Sequence, residues 1–339
     1  MMLICKPTSS ICSRLSPKQT NTMPTSCINH LPTQPSWLLL LLLFFGFLPI
    51  LKLIFSSLKW FYNTFLRPPK DLKAYGSWAL ITGATDGIGK AFAHQLAQKG
   101  INLVLLGRNF DKLERVSDEI QAESPNIKIK IVLCDFSRDA STSIIKTIED
   151  ATNELEVGVL INNVGVTHQA RYFHEVDERV WMDIVRVNLE NTTRVTRAVL
   201  KGMLKRKRGA IVNIGSASAI VVPSHPLHAI YAATKGYIDQ LSRSLHVEYK
   251  HNGIDVQCQV PLYVATKMAS KVASIEKSSL FIPTPDNYAR AAIRHIGYEA
   301  RCTPYWAHSL QWCFANLLPE AALDAWRLSI GISRREKNL

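Results

Sequence analysis

Six short apolar runs, residues 78–82, 103–106, 127–133, 157–161, 210–214 and 254–260, alternate with helical stretches from about residue 77 onward. They are almost continuously apolar, without the period-two alternation of a strand that keeps one face in water. Strands of that kind are covered on both faces, so the runs predict a parallel sheet between two layers of helices. The expected fold is α/β, a doubly wound, Rossmann-like parallel sheet. No internal repeat and no second globular domain is visible in the 339 residues.

The first run leads into Thr82-Gly83-Ala84-Thr85-Asp86-Gly87-Ile88-Gly89, followed by a helix expected to begin near Lys90. Gly83, Gly87 and Gly89 permit a tight turn and a close backbone approach to a pyrophosphate at a helix N-terminus. Glycine spacing alone is weak, because loops gather glycines for turns; the position between first strand and helix gives it weight. The second run ends in Leu106-Gly107-Arg108-Asn109. An acidic residue there suits an unmodified ribose, whereas Arg108 suits a 2′-phosphate, favouring NADPH over NADH. Lys90 reads equally as a second cation near the phosphates or as a solvated helix residue. Asp135 follows the third run, where it could accept from the adenine amino group. Asn162 and Asn163, followed by Gly165, end the fourth, where their amides could lock strands and line an adenosine pocket.

After the fifth run, Tyr231-Ala232-Ala233-Thr234-Lys235 puts a phenol and an ammonium at i and i+4 on one helix face. An adjacent ammonium is expected to lower the phenol pKa from near 10 and equip Tyr231 as a general acid. A Tyr and a Lys at this spacing are common by chance; their place after the fifth strand and downstream of the glycine turn sets them apart.

The set TGATDGIG, NNVG, a serine-bearing strand end and YAATK, in this order, resembles the short-chain dehydrogenase/reductase family. The resemblance implies a cofactor site containing Gly83, Thr85, Asp86, Gly87, Ile88, Gly89, Arg108, Asp135, Asn162, Tyr231, Lys235, Val264 and Thr266. It also implies a catalytic serine that holds the substrate carbonyl. Ser216 matches by its offset from the strand, while the family's commonest spacing to the tyrosine selects Ser218, so a two-residue loop insertion separates the candidates. Asn188 corresponds to a helix asparagine supporting a water-mediated proton path to the lysine; read alone, it is a buried helix-kinking residue. Residues 261–266 correspond to the segment that closes over the nicotinamide, with Val264 and Thr266 touching the cofactor.

Within the family, YGSWALITGATDGIGKAFA, GIDVQCQVPLYVATKMAS and CTPYW resemble microsomal very-long-chain 3-oxoacyl-CoA reductases of the plant type, relatives of the 17β-hydroxysteroid dehydrogenases. This implies NADPH-dependent reduction of 3-oxoacyl-CoA to 3-hydroxyacyl-CoA, with elongase components as partners and a homodimer as an available assembly. Ser216 and Tyr231 would contact the substrate. A lipid-alcohol or steroid dehydrogenase would use the same residues, and a catalytically weak partner of an elongase would keep the same fold.

Ahead of the sheet, residues 1–36 are Ser-, Thr- and Pro-rich without an acidic residue, a composition that buries no core and also fits an organellar transit peptide. Residues 37–57 are apolar over the length of a membrane-crossing helix, interrupted by Pro49 and Lys52, and Pro49 leaves a hairpin or a membrane-surface segment open as the alternative. Residues 58–76 form a basic, aromatic linker carrying Lys59, Arg67, Lys70 and Lys73, which places the following bulk in the cytosol by the positive-inside rule. The cysteines lack metal or redox spacing, in keeping with a reducing compartment. The reductase domain is expected over 77–300, with a lid-like substrate loop at 262–285, and 301–339 as membrane-proximal helices and a basic tail; residues 288–296 and 309–328 read as helices that could pack on the membrane side or simply cover the sheet. The tail resembles a dibasic endoplasmic-reticulum retrieval signal with arginine replacing one lysine. A formal charge of +13 favours membrane lipid or a polyanionic acyl-CoA. Nucleic acid is not an expected partner, because no basic run alternates with aromatics and no such motif occurs. No metal site is expected. The Asn191-Thr192-Thr193 sequon falls in a cytosolic helix and is expected to stay unmodified.

Overall fold

A computed structural model describes residues 36–138 and 141–337. The polar extension, including Cys5, Cys12 and Cys27, and the final two residues of the tail lie outside them. Helix α1, Ser36–Phe61, runs through Pro49 without interruption, longer at both ends than the 37–57 expected. The segment Leu43–Leu66 is long and apolar enough to cross a membrane. A helical passage through Pro49 leaves no hairpin turn there.

The rest of the chain alternates strands and helices. These are β1 Trp78–Thr82, α2 Gly87–Gln98, β2 Asn102–Gly107, α3 Phe110–Glu123, β3 Ile129–Leu133, α4 Ser141–Thr152, β4 Val157–Asn162, α5 Glu178–Val185 and α6 Asn191–Arg206. They continue with β5 Gly209–Ile214, α7 Ala217–Ile220, α8 Ala229–Tyr249, β6 Ile254–Gln259, α9 Lys267–Ala273, α10 Pro285–Arg294, β7 Arg301–Cys302, α11 Trp306–Ala315 and α12 Glu320–Glu336. The strands form one parallel sheet in the order β3-β2-β1-β4-β5-β6-β7. Chain order reverses between β1 and β4, the switch point where α/β sheets open a ligand crevice beyond the strand ends.

Alternate strand residues enter opposite cores, which is why most of the runs are apolar; the third and sixth depart from this with alternating polar residues, Lys128 and Lys130 in one and the buried Asp255, Gln257 and Gln259 in the other. Ala79, Ile81, Leu103 and Leu105 pack with Phe92, Leu96 and Ile293, while Leu80, Val104 and Leu106 pack with Ile144, Ile148 and Val199 on the other face. Gly158 is skipped in the β1–β4 register, where Trp78 pairs with Val157 and Ala79 with Val159. A Cβ on it would lie 2.3 Å from the Gly76 nitrogen, so the bulge exists to let the chain entering β1 pass against β4.

Several expected boundaries move for identifiable reasons. Helix α2 starts three residues before Lys90, because the Asp86 side chain caps it by accepting from the Gly87 N–H. A seventh, two-residue strand, β7, joins the sheet edge beyond the six expected. Pro319 divides the expected 309–328 helix into α11 and α12, and α12 continues to Glu336. The loop 262–285 contains α9, and its tip is tied down by bonds from Tyr305 Oη to the Leu280 carbonyl and from Gln311 Nε2 to the Phe281 carbonyl.

Two linker cations belong to the folded domain. Arg67 pairs with Glu299, and Lys70 bonds Asp255 at 3.0 Å. In the tail, Arg334 and Arg335 are helical and bonded to Tyr263 and Glu175. Asn191 is fully buried with its Nδ2 donated to the Phe136 carbonyl, which closes the sequon to modification.

Buried imidazoles give the domain a pH signature. Burial pushes both His295 and His308 down to about 4. His308 is held neutral by accepting from the Leu262 N–H at Nδ1 and donating to the Tyr263 carbonyl from Nε2. The unfolded chain takes up protons below pH about 6.5 that the folded one refuses, so stability is intact above that pH and falls as pH drops through it. Urea unfolding between pH 7.5 and 5.5 should lose up to about 1.4 kcal/mol per pH unit for each such imidazole. His308→Gln should flatten the decline while lowering stability at pH 7.5.

Candidate active site

The glycine turn is shaped for an anion. Gly83 has φ +67°, and a Cβ on Gly89 would lie 2.3 Å from the Gly83 carbonyl oxygen and 2.4 Å from Asn163 Nδ2. Asn163 Nδ2 donates to the carbonyls of Thr82 and Gly83, while Thr82 Oγ1 accepts from the N–H groups of Asn163 and Val164. The turn is thereby bolted to the end of β4, and the N-terminus of α2 faces the crevice. Thr85 leans on Gly107, and Ile88 packs into the core below. Thr266 caps α9 by accepting from the Ala269 N–H and lies against Gly87; Val264 beside it is buried in the core. The set fits a dinucleotide pyrophosphate, and a groove of 560 Å³ opens here past Asp86, Gly87, Thr266 and Lys267.

Strand ends β2 and β3 bring Arg108 and Asp135 close enough to interact. Burial pushes the Asp135 carboxyl up, but bonds from Ser137 and the charges of Arg108 and Arg138 outweigh it and hold it below the usual range. Two readings are sharpened, and one residue is added. Asn162 is 4% exposed and spends its Nδ2 on Asn213 Oδ1 and Thr196 Oγ1, both at 2.8 Å, so its side chain locks β4 to β5 and α6 rather than lining a pocket. Lys90 is ion-paired with Glu119 on α3, at 2.5 Å, which favours its reading as a helix-surface residue. Lys267, which sequence reasoning missed, is the cation at the turn, pairing with Asp86 at 2.7 Å. Its signal was a lysine one residue beyond the expected cofactor threonine.

The reacting groups converge from β5 and α8. Asn213 passes the amide lock onward to Ser242 of α8 at 2.9 Å, fixing the helix that carries Tyr231 and Lys235 against the strand that ends before Ser216. Ser216 lies close enough to Tyr231 for its hydroxyl to act on the phenol, pulling its pKa down. Ser218, buried beneath it, donates its hydroxyl to Ser216 Oγ at 2.8 Å. The structure thus separates the two serines: Ser216 meets the tyrosine and Ser218 orients Ser216.

Lys235 is buried, its Nζ donating to the Ile214 carbonyl at 2.8 Å and lying 5.8 Å from the Tyr231 ring centroid. Burial pushes its ammonium down to about 8. Contrary to the expected depression, the Tyr231 pKa is raised. Burial is the largest cause and Tyr263 adds to it, while the lowering contribution comes from Ser216. Asn188, 1% exposed, sits in a π-helical turn over Arg186–Glu190, so the kink foreseen from its sequence is present. Its side chain accepts from the Val166 N–H and donates to the Val166 carbonyl and Thr234 Oγ1, tying the chain after β4 to α8.

A phenol and a serine hydroxyl close together, with a lysine near the phenol ring, can hold a carbonyl oxygen and protonate it. Ser216→Ala should cut carbonyl–alcohol turnover about a hundredfold or more. Ser218→Ala removes a single supporting hydrogen bond and should cost only about fivefold. Steady-state kcat of the two variants checks this, and an inverted order would reassign the serines.

Residues 77–277 match the family described as short chain dehydrogenase. Over 315 residues the chain is 58% identical to a very-long-chain 3-oxoacyl-CoA reductase-like protein of Arabidopsis thaliana, covering 92% of this chain and 99% of the relative. It is 39% identical to the very-long-chain 3-oxoacyl-CoA reductase of Mus musculus, over 78% of this chain and 81% of that one. It is also 40% identical to an inactive hydroxysteroid dehydrogenase-like protein 1 of Homo sapiens, over 74% of each. Among solved structures, a short-chain dehydrogenase from Sphingobium yanoikuyae in complex with NADPH superposes with a TM-score of 0.57 at 28% identity, covering 64% of this chain and 83% of that one. By sequence, by sheet order and by the residues gathered at its crevice, the chain belongs to the short-chain dehydrogenase family.

Proposed function

We propose that this protein is the NADPH-dependent 3-oxoacyl-CoA reductase of very-long-chain fatty-acid elongation, anchored in the endoplasmic-reticulum membrane with its catalytic domain in the cytosol. The observation that carries the reading is similarity over nearly the whole length of the Arabidopsis reductase-like protein, together with an intact Ser216, Tyr231 and Lys235. The apolar segment Leu43–Leu66 supports the anchor, and the excess of cations suits the polyanionic head of a CoA thioester. Partners in this reading are membrane lipid, the other elongase enzymes and a second copy of the chain.

The glycine turn would hold the pyrophosphate of NADPH, Arg108 its 2′-phosphate and Lys235 its nicotinamide ribose, and the bound cofactor would supply the hydride. Ser216 holds the ketone oxygen. Tyr231, kept protonated at neutral pH by its buried setting, donates its proton to that oxygen as charge develops. The resulting phenolate is stabilised by Ser216 and the Lys235 ammonium. Asn188 keeps the segment after β4 and α8 in register. The human relative named as inactive favours a second reading, a non-catalytic elongase partner; the complete set of reacting groups in this chain favours the enzyme.

Membranes carrying the full chain should oxidise NADPH when given a long-chain 3-oxoacyl-CoA. Tyr231→Phe should lower the rate by about 10²–10⁴. Arg108→Asp should shift the NADPH-over-NADH preference by about tenfold or more towards NADH. Folded, NADPH-binding protein that leaves every 3-oxoacyl-CoA unreduced would instead indicate another lipid ketone or the non-catalytic role.

Lys235 sets the pH limit on cofactor binding. Its ammonium is lost as pH rises through about 8 rather than near 10.5. The Kd for NADPH, measured by fluorescence titration, should therefore be flat below pH 7.5 and rise above about 8. A flat profile to pH 9.5 would remove Lys235 from the ribose site.

A further inference from the structure

Next to the reacting tyrosine stands a second phenol backed by arginines. Tyr263 lies near enough to Tyr231 to influence it electrostatically; its hydroxyl accepts from Arg334 Nη1 at 2.9 Å, and the Arg327 charge is close enough to act on it too. Arg327 is 7% exposed, yet among the described residues no carboxylate pairs with it. Its Nη2 meets His225, and its Nε, inside the protein, has no acceptor. His225 offers no compensating charge, since burial and then Arg327 push it down to about 2. The carboxylate of Asp324, one turn earlier on α12, accepts from Ser224.

A guanidinium taken out of water without an acid beside it is costly unless an electronegative oxygen arrives with the ligand. Any oxygen reaching Tyr263 is close to the carbonyl held at Tyr231, which limits what the ligand can be. A monoketone has no second oxygen nearby. A 3-oxoacyl thioester has one two carbons away, and its enolate form puts negative charge on it.

We infer that Tyr263, with Arg327 and Arg334 behind it, forms a subsite for the thioester oxygen of a 1,3-dicarbonyl substrate, so that the site selects 3-oxoacyl thioesters over simple ketones. This rests on the proposed function and names the part of the site that gives it its specificity. The assignment uses one hydroxyl and two guanidinium groups supplied by the β6–α9 connection and α12.

The test uses the full chain in membranes with NADPH and three substrates. These are a 3-oxoacyl-CoA, the matching 3-oxoacyl N-acetylcysteamine thioester, which lacks phosphates, and a methyl ketone of equal length. For Tyr263→Phe and Arg334→Met, the ratio of kcat/KM for thioester over ketone should fall about tenfold with both thioesters. A fall confined to the CoA ester would mean that the cations read phosphate, and would overturn the assignment. So would an unmoved ratio, which would leave Tyr263 as no more than the counter-charge of the arginines. If Arg334→Met fails to fold, Tyr263→Phe, which removes a single oxygen, decides alone. A wild type that reduces the ketone and neither thioester overturns the proposed function itself, whereas loss of selectivity in an active thioester reductase bears on the subsite.

Discussion

The amide of Asn162 is the fixed point of the structure. Both of its N–H groups are spent in the interior, one on Asn213 across the β4–β5 boundary and one on Thr196 of α6, and Asn213 hands the chain on to Ser242 of α8. Buried amides unable to reach water hold their partners firmly, because breaking one bond strands two polar groups. The strand end that presents Ser216 therefore cannot slide relative to the helix that presents Tyr231. The neighbouring Asn163 does the same for the cofactor half by gripping the carbonyls of Thr82 and Gly83. Two adjacent residues thus set the distance between hydride donor and proton donor.

Electrostatically, the resting site holds its proton where a reduction needs it. Burial disfavours charge on both Tyr231 and Lys235, raising one pKa and lowering the other. A neutral phenol beside a lysine whose ammonium is only moderately stable is a site that becomes polar when negative charge appears on the substrate oxygen. Ser218, Asn188 and His308 each spend side-chain hydrogen bonds holding the segments that carry the site.

The doubly wound sheet was legible because burial on both faces erases polar positions from most of its strands, although the third and sixth runs keep an alternation of lysines and of Asp255, Gln257 and Gln259. The glycine turn and the Tyr–Lys pair were legible because their chemistry tolerates few substitutes. Less legible was whatever depends on contacts between distant segments. The β7 strand is too short to have a period, and its pairing with β6 follows from the position of α10 rather than from its own composition. Arg67 and Lys70 looked like membrane-facing charge until Glu299 and Asp255, far along the chain, claimed them. The direction of the Tyr231 shift depends on how much protein surrounds the ring, which spacing along a helix does not report. Of two serines separated by one residue, the strand offset picks Ser216, and what the sequence did not show is that Ser218 donates its hydroxyl to it.

Helix α12 gives the molecule a property of timing. Its Gly331 allows close contact with Leu227, a residue held at φ +63°, and its arginines reach Tyr263 and Glu175. The wall of the substrate cleft is thus completed by a segment far downstream of Tyr231. On a ribosome the chain emerges from its N-terminal end, so the glycine turn and the strands around it are available to fold well before α12 exists. The nascent protein acquires its cofactor half first and its substrate half last. During that interval it is a nucleotide-binding fold whose Tyr263 and Glu175 still lack the arginines of the final helix.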